Sequence, residues 1–400
     1  MTADDIVRAL AAGGTADPYS LYADLHRLGE AVALTAPDLP YAATVHSYRA
    51  VDQLMRDTSF EVYDAFWLAS TTPDWQRHPV LVMLMNSMMF SNGDQHGRMR
   101  ALFRKVFTPR RVRRMEPEIV RITAELLDRL AELGADGAEV DYMAEFAYLL
   151  PARVVGRLLG LPDEDISWFR SQVDLINDWL DFRRKGPEVL AAADQAAAGI
   201  TEYYLELIAL RRKDPQADLI SDLVRAVDRG QHQVTDLELV GNLLVLFNAS
   251  FSTTIHLFGN ALPLLLERPA VQIPAFVEEV LRYETPAHVF IRVASADTEF
   301  LGVPLKRGEL VAVLTGAANR DPRRFPEPDR FDPARPDNQP ISFGAGPHYC
   351  LGAALARAEA RLALPMVLER FPRLTLGGPP IHTDQLILHG YKSLPIVLGR

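Results

Sequence analysis

Apolar positions return at intervals of three and four in "AELLDRLAEL", "PARVVGRLLGL", "ITEYYLELIALRR" and, longest of all, "DLELVGNLLVLFNASFSTTIHLFGNALPLLLERP". That period is the mark of helices that bury one face. The last run predicts a helix from about Asp236 to Arg268, long enough to cross a domain of this size. Thr235 stands just before it with Glu238 three residues on, the spacing of a reciprocal cap. Strand-like stretches are short: "AVALTA" and "YAATVH" near the start, "FIRVASADTEFLGVPLKRGELVAVLTG" later, and "LPIVLG" at the end. No repeat, low-complexity block or linker interrupts the chain. The pattern predicts a mainly α protein with small β-sheets, one large helix-rich domain over residues 1–400.

Two stretches fit neither period cleanly or are unusually aromatic. Residues 59–90 are dense in Trp, Phe, Tyr and Met, and Trp168, Phe169, Trp179 and Phe182 cluster on one predicted helix. Such residues are core in most proteins, and adaptable Met and aromatic surfaces also line pockets for large apolar ligands.

Composition narrows the class. The 400 residues are 48% hydrophobic, sufficient for a large core, and the net charge of −10 argues against a nucleic-acid binder. No run reaches the roughly 18 uninterrupted apolar residues of a membrane helix, and the acidic start "MTADDIVRAL" lacks a basic segment followed by an apolar one. The expectation is a cytoplasmic protein without a membrane. Charge is uneven, however: "GRMRALFRKVFTPRRVRR" carries eight cations and no acid. A solvated helix face explains such a run, and so does a docking site for an acidic partner or for anionic groups of a cofactor.

The single cysteine, Cys350, lies in "FGAGPHYCLG" and cannot form an internal disulfide. The loop leads into "LGAALARAEARLAL", a predicted helix beginning directly after the cysteine, and a helix N-terminus favours a thiolate. The glycines let backbone approach a large flat group, and Phe343 can shield it from water. A phosphate loop would end in Gly-Lys-Ser/Thr, and a zinc site would need further cysteines; both are missing. A cysteine nucleophile with His348 as its base, and an inert core thiol, stay open on these residues alone.

At this point the chain resembles the cytochrome P450 superfamily of haem-thiolate monooxygenases, above all its soluble bacterial members. "FGAGPHYCLG" matches that family's haem loop, which implies haem b (iron protoporphyrin IX) with Cys350 as axial ligand and Phe343, Gly344, His348, Leu351 and Gly352 around it. "EEVLR" supplies the family's Glu-x-x-Arg as Glu279 and Arg282, completed by Arg330 in "FPEPDRFDPAR"; the resemblance makes these structural supports. "HGRMR" puts His96 and Arg100 one turn apart, and the resemblance assigns them to the haem propionates with Arg292 and His348. Met89, Phe107 and Ala249 are further haem contacts by the same likeness.

In "NASFSTT" the family pattern Ala-Gly-x-Asp/Glu-Thr is met by Ala249 and Thr253, while Ser250 replaces the glycine and Ser252 the acid. Thr253 is then the alcohol on the oxygen side. Ser252 can pass a proton but not store one, which shifts delivery to water, Asn248 or the substrate, with His256 a turn further on. The connection around "AVQI", between "LLLERP" and "FVEEVLR", is shorter than in bacterial relatives.

The resemblance implies hydroxylation or epoxidation of a medium-to-large apolar substrate in secondary-metabolite (polyketide or peptide) biosynthesis. Electrons would come from a ferredoxin and its NAD(P)H-dependent reductase, docked at the basic run. Candidate substrate contacts are Met85, Met88, Leu244, Asn248, His288, Val289 and Leu388. The small-molecule substrate is free or tethered to a carrier protein, and the enzyme acts as a monomer. Oxidative coupling or ring formation without oxygen insertion, and a haem-binding scaffold without turnover, are the alternatives.

Overall fold

The computed structural model describes residues 1–12, 17–180, 186–230, 233–268, 271–385 and 387–399. Phe182 lies outside them. The chain divides into two compact units, Met1–Glu61 with Thr123–Leu149 and Thr253–Arg400, and Val62–Ile122 with Leu150–Ser252.

The first unit holds the sheets. Its largest has five strands in the order Ala31–Ala33, Tyr41–Val45, Leu310–Leu314, Val289–Ala294 and Phe60–Glu61. Tyr41–Val45 pairs parallel with Leu310–Leu314, and Arg292 lies opposite Val311 in the antiparallel pair beside it. Apolar side chains alternate onto both faces, giving one core around Val51, Leu54, Val311 and Val313, and another around Ile6, Leu25, Ala312 and Leu314. All the predicted strands form. Short strands at Glu139–Asp141, Thr375–Leu376, Ile381–His382 and Tyr391–Ser393 were not foreseen, because segments of two or three residues carry no readable alternation.

The second unit is helical. Ile166–Leu180 packs along Pro187–Lys213, and Phe169 meets Tyr204 and Phe247 at ring distances of 5.2 and 5.4 Å. The aperiodic 59–90 stretch resolves into the short helices Ala65–Thr71 and Pro79–Met85 with two single turns, too brief to show a period.

The long helix runs Asp236–Glu267. Its start is the predicted reciprocal cap: the Thr235 amide donates to Glu238 at 2.9 Å, and the Glu238 amide donates to the Thr235 hydroxyl at 3.2 Å. Among the described residues it alone is long and apolar enough to cross a membrane. Leu243, Phe247, Phe258 and Leu262 are nevertheless buried, the behaviour of a core helix. Gly241 is needed where Pro79–Met85 crosses it, since a Cβ there would lie 2.5 Å from the Met83 carbonyl. A connection of five residues separates the long helix from the next, Ile273–Tyr283. Ala270 of that connection lies outside the described residues.

Candidate active site

In the first unit the segment around Cys350 is closed by its own backbone. The Gly344 amide donates to the Ile341 carbonyl (2.9 Å), the Tyr349 amide to Gly346 (3.1 Å) and the Cys350 amide to Phe343 (2.9 Å). Gly344 and Gly346 take φ of +70° and +67°, where a side chain is strained. At Gly346 there is no room either, because a Cβ would sit 2.4 Å from the Met55 carbonyl oxygen. The loop leaves Cys350 half-buried, three residues ahead of the helix Ala353–Arg370. The helix therefore starts slightly later than the sequence suggested; Leu351 and Gly352 make a turn, with Gly352 at its cap. Arg357 lies 4.4 Å over the Phe343 ring and is tied to Glu278 by bonds of 2.5 and 2.9 Å, fixing that ring beside the cysteine. His348 is half-buried in the same loop.

Glu279 and Arg282 are fully buried and joined by bonds of 2.8 and 2.7 Å. Arg282 also donates to the carbonyls of Asn319 (3.1 Å), Pro328 (2.8 Å) and Arg330 (3.1 Å). The third arginine needs correction. Arg330 turns its side chain to solvent beside Glu327 at 3.3 Å and contributes only its carbonyl, whereas Arg335 comes within 3.6 Å of Glu279. Arg335 holds the turn by donating to the carbonyls of Pro326, Glu327 and Arg330. The motif contains both arginines, and only the path of the turn decides which one faces inward.

Arg292 contrasts with that network. Its side chain is buried, yet its one side-chain hydrogen bond among the described residues runs from Nη1 to the neighbouring Ile291 carbonyl at 2.8 Å. No described carboxylate pairs with it, and burial pushes its pKa down to about 10. A guanidinium so placed fits a carboxylate that comes from outside the protein, as a haem propionate does. Together with a lone thiol as the soft donor, this donor set suits a haem thiolate.

The second unit carries the other expected cofactor contacts. His96 is buried and Arg100 half-buried on the helix Gly93–Val106, and burial, with the Arg100 charge, pushes the His96 pKa down to about 4. Phe107 closes that helix and is buried, while Met89 is exposed. On the long helix Ala249 is exposed; Thr253, one turn on and in the first unit, is half-buried.

Ser252 is locked in a closed ring. Its hydroxyl donates to Asn248 Oδ1 (2.6 Å), Asn248 Nδ2 donates to Asn177 Oδ1 (2.8 Å), and Asn177 Nδ2 donates back to the serine oxygen (3.1 Å). None of the three titrates near neutral pH, so the acid position holds no storable proton. Asn177 was missed in the sequence, where only a polar residue within the aromatic "LINDWL" marked it.

Among the substrate candidates, Met85, Met88, Leu244 and Val289 are buried and Asn248 half-buried. Leu388 bridges to Ala287. The Met88 amide is held by Asn242 at 2.9 Å. His288 is buried: its ring lies against Gly316, stacks on His389 at 4.5 Å and shares a hydrogen bond with the Tyr22 hydroxyl at 2.7 Å through Nδ1, while its Nε2 has no hydrogen-bond partner among the described residues. His256 packs against Gly390, and burial pushes its pKa down to about 4.

Comparison with known proteins agrees with this geometry. The family description "Cytochrome P450" matches residues 273–390. Cytochrome P450 107B1 of Saccharopolyspora erythraea is 38% identical over 325 residues, spanning 78% of this chain and 77% of its own. The 6-deoxyerythronolide B hydroxylase of the same organism is 36% identical over 327 residues, 78% of each chain. Among solved structures, P450BioI in complex with an acyl carrier protein ligated to hexadec-9Z-enoic acid superposes with a TM-score of 0.87 at 30% identity, covering 95% of this chain and 98% of that one.

Proposed function

This chain belongs to the cytochrome P450 superfamily and is a haem-binding monooxygenase, and from that premise we propose that it hydroxylates or epoxidises a medium-to-large apolar metabolite in secondary-metabolite biosynthesis. The observation that carries the reading is the backbone-closed loop presenting Cys350, with Arg292 buried and without a counter-ion among the described residues of the same unit. When bound, the haem supplies activation of O₂, with a thiolate ligand pushing electron density toward O–O cleavage.

The protein's own residues have separate tasks. Cys350 ligates iron; Phe343, Gly344, Leu351 and Gly352 keep water from the sulfur; Arg292, His96, Arg100 and His348 hold the propionates. Met89, Phe107 and Ala249 pack on the porphyrin. Thr253 offers a hydroxyl that donates one hydrogen bond and accepts another on the oxygen side. Ser252, engaged in the amide ring, positions Asn248 rather than gating protons by charge. Met85, Met88, Leu244, Asn248, Val289 and Leu388 shape the substrate space.

Electrons come from an acidic ferredoxin and its NAD(P)H-dependent reductase, met by exposed cations such as Arg104 and Arg113. The protein works as a cytoplasmic monomer, and the carrier-bound fatty acid in the P450BioI structure supports a carrier-tethered substrate as well as a free one. The uncharged 177–248–252 ring also favours a second reading, oxidative coupling or ring closure without oxygen insertion. Product mass separates the two: one added oxygen for hydroxylation, two lost hydrogens for coupling.

The founding test is the spectrum of the dithionite-reduced protein under carbon monoxide. A thiolate-type red-shifted Soret band that disappears in Cys350→Ser is expected. A histidine-type spectrum that survives the substitution overturns the assignment.

A further inference from the structure

The basic run is only partly absorbed by haem and ferredoxin. In the second unit the end of helix Gly93–Val106, the start of helix Pro109–Leu133 and the helix Leu219–Asp228 enclose a cleft of about 310 Å³. Six cations line it: Lys105, Arg110, Arg111, Arg114, Arg225 and Arg229. The single carboxylate in the lining, Asp222, is shared between Arg111 and Arg225. Asp218, the other acid whose charge Arg111 feels, is already held by Arg211 at 2.6 Å and caps its own helix through the Ser221 amide at 2.7 Å. Lys105, Arg110, Arg114 and Arg229 have no ion-pair partner among the described residues.

The placement runs against ordinary helix electrostatics. Arg110, Arg111, Arg113 and Arg114 all fall in the first two turns of Pro109–Leu133, at the positive end of its dipole, where acids are favoured and cations repelled. Half-buried Arg111 is destabilised further by burial and by the charges of Arg114 and Arg225. Cations crowded against one another and against a helix N-terminus are relieved by a bound anion, and arginine forks with an N-terminal helix end are the donors that phosphate oxygens accept best. A volume near the lower limit of ligand pockets, about 300 Å³, suits a compact anion.

We propose that this cleft is a binding site for a phosphate-bearing anion of about diphosphate size. It goes beyond the electron-transfer reading, since it uses the cations of the run that line the cleft, Lys105, Arg110, Arg111 and Arg114, and not Arg104 and Arg113. The anion is a free diphosphate or the diphosphate of a nucleotide.

The test is calorimetric titration of inorganic pyrophosphate into the haem-loaded protein at low ionic strength. Saturable binding is expected, weakened at least about tenfold in Arg110→Gln/Arg114→Gln and again in Arg229→Gln, with the Soret band unchanged as evidence of an intact fold. Arg104→Gln/Arg113→Gln, which removes the same charge from the same run outside the lining, should leave the affinity within about twofold. ADP binding tenfold tighter than pyrophosphate identifies a nucleotide as the source; equal affinity identifies the free diphosphate. Absent heat, or equal weakening by both double variants, overturns the site in favour of a diffuse cationic surface. Loss of ferredoxin-driven reduction in the Arg110/Arg114 variant without any pyrophosphate binding overturns it in favour of a protein-docking face.

Discussion

Arg282 and Arg292 lie in the same unit and are both buried, yet their surroundings are opposite. Arg282 spends its donors on Glu279 and three backbone carbonyls, and Glu279 accepts in addition the Asp332 amide at 2.7 Å and the Asn338 amide group at 3.0 Å. Among the described residues the Arg292 side chain has one bond, to the carbonyl next to it. Burying a charge is costly unless it is paired. The first arginine is therefore paired as the protein folds, while the second has no counter-ion among the described residues. Fold and function divide along that line, and removing either charge should fail in a different way.

The largest effect is expected on the completed side. Glu279→Ala leaves Arg282 buried without its counter-ion and should lower unfolding free energy by about 3–5 kcal/mol, read from urea titration of the purified protein. A loss below 1 kcal/mol would mean that the pair adds little to the support of the haem loop. On the incomplete side, Arg292→Leu should weaken haem retention by about tenfold to a hundredfold, the worth of a charge-assisted hydrogen bond of roughly 1.5–3 kcal/mol. Haem loss to an excess of apomyoglobin measures it. The haem-free variant should be as stable as the haem-free parent or more so, because a buried unpaired charge has been removed. Equal destabilisation of both forms would place Arg292 with Arg282 as a structural residue.

A smaller effect extends the contrast to histidines. His46 and His256 are held neutral by burial, both pushed down to about 4. Unfolding lets them bind protons near the ordinary histidine value of about 6.5, so the unfolded chain takes up more protons between the two values. Stability should therefore fall as pH drops from 7 toward 4.5, by on the order of 1–2 kcal/mol per histidine, and His256→Leu should flatten the decline. The urea midpoint across that range decides. Smallest of all is Ser252→Ala, which opens the amide ring and should cost about 0.5–1.5 kcal/mol, with less than about tenfold loss of turnover if the serine only positions Asn248. A larger loss of turnover with unchanged stability would make the serine a proton carrier.

Much of this was legible beforehand. The cap at Thr235 and Glu238, the helical runs, the Cys350 loop and the buried pair at 279 and 282 are local features, set by residues within one or two turns of each other. What escaped was what depends on how distant segments pass one another. Arg330 and Arg335 occupy the same short motif, and neither spacing nor residue type says which will face Glu279. Asn177 reaches Ser252 across 75 positions of sequence, and nothing local to His288 shows that Tyr22 and Gly316 lie against its ring.

The sequence by itself determined the chemistry on offer: one thiol in a glycine-rich loop ahead of a helix, an arginine-rich run, and a long apolar helix that carries serine where the family resemblance implies an acid. Those are statements about residue types at short spacing, where backbone geometry leaves few choices. Tertiary structure alone decided which charges are satisfied, because whether a buried group is paired depends on every chain segment that reaches it. By that criterion Arg282 belongs to the fold, while Arg292, without a counter-ion among the described residues, is the one we assign to the cofactor, and the cations around Asp222 are those we assign to an anion.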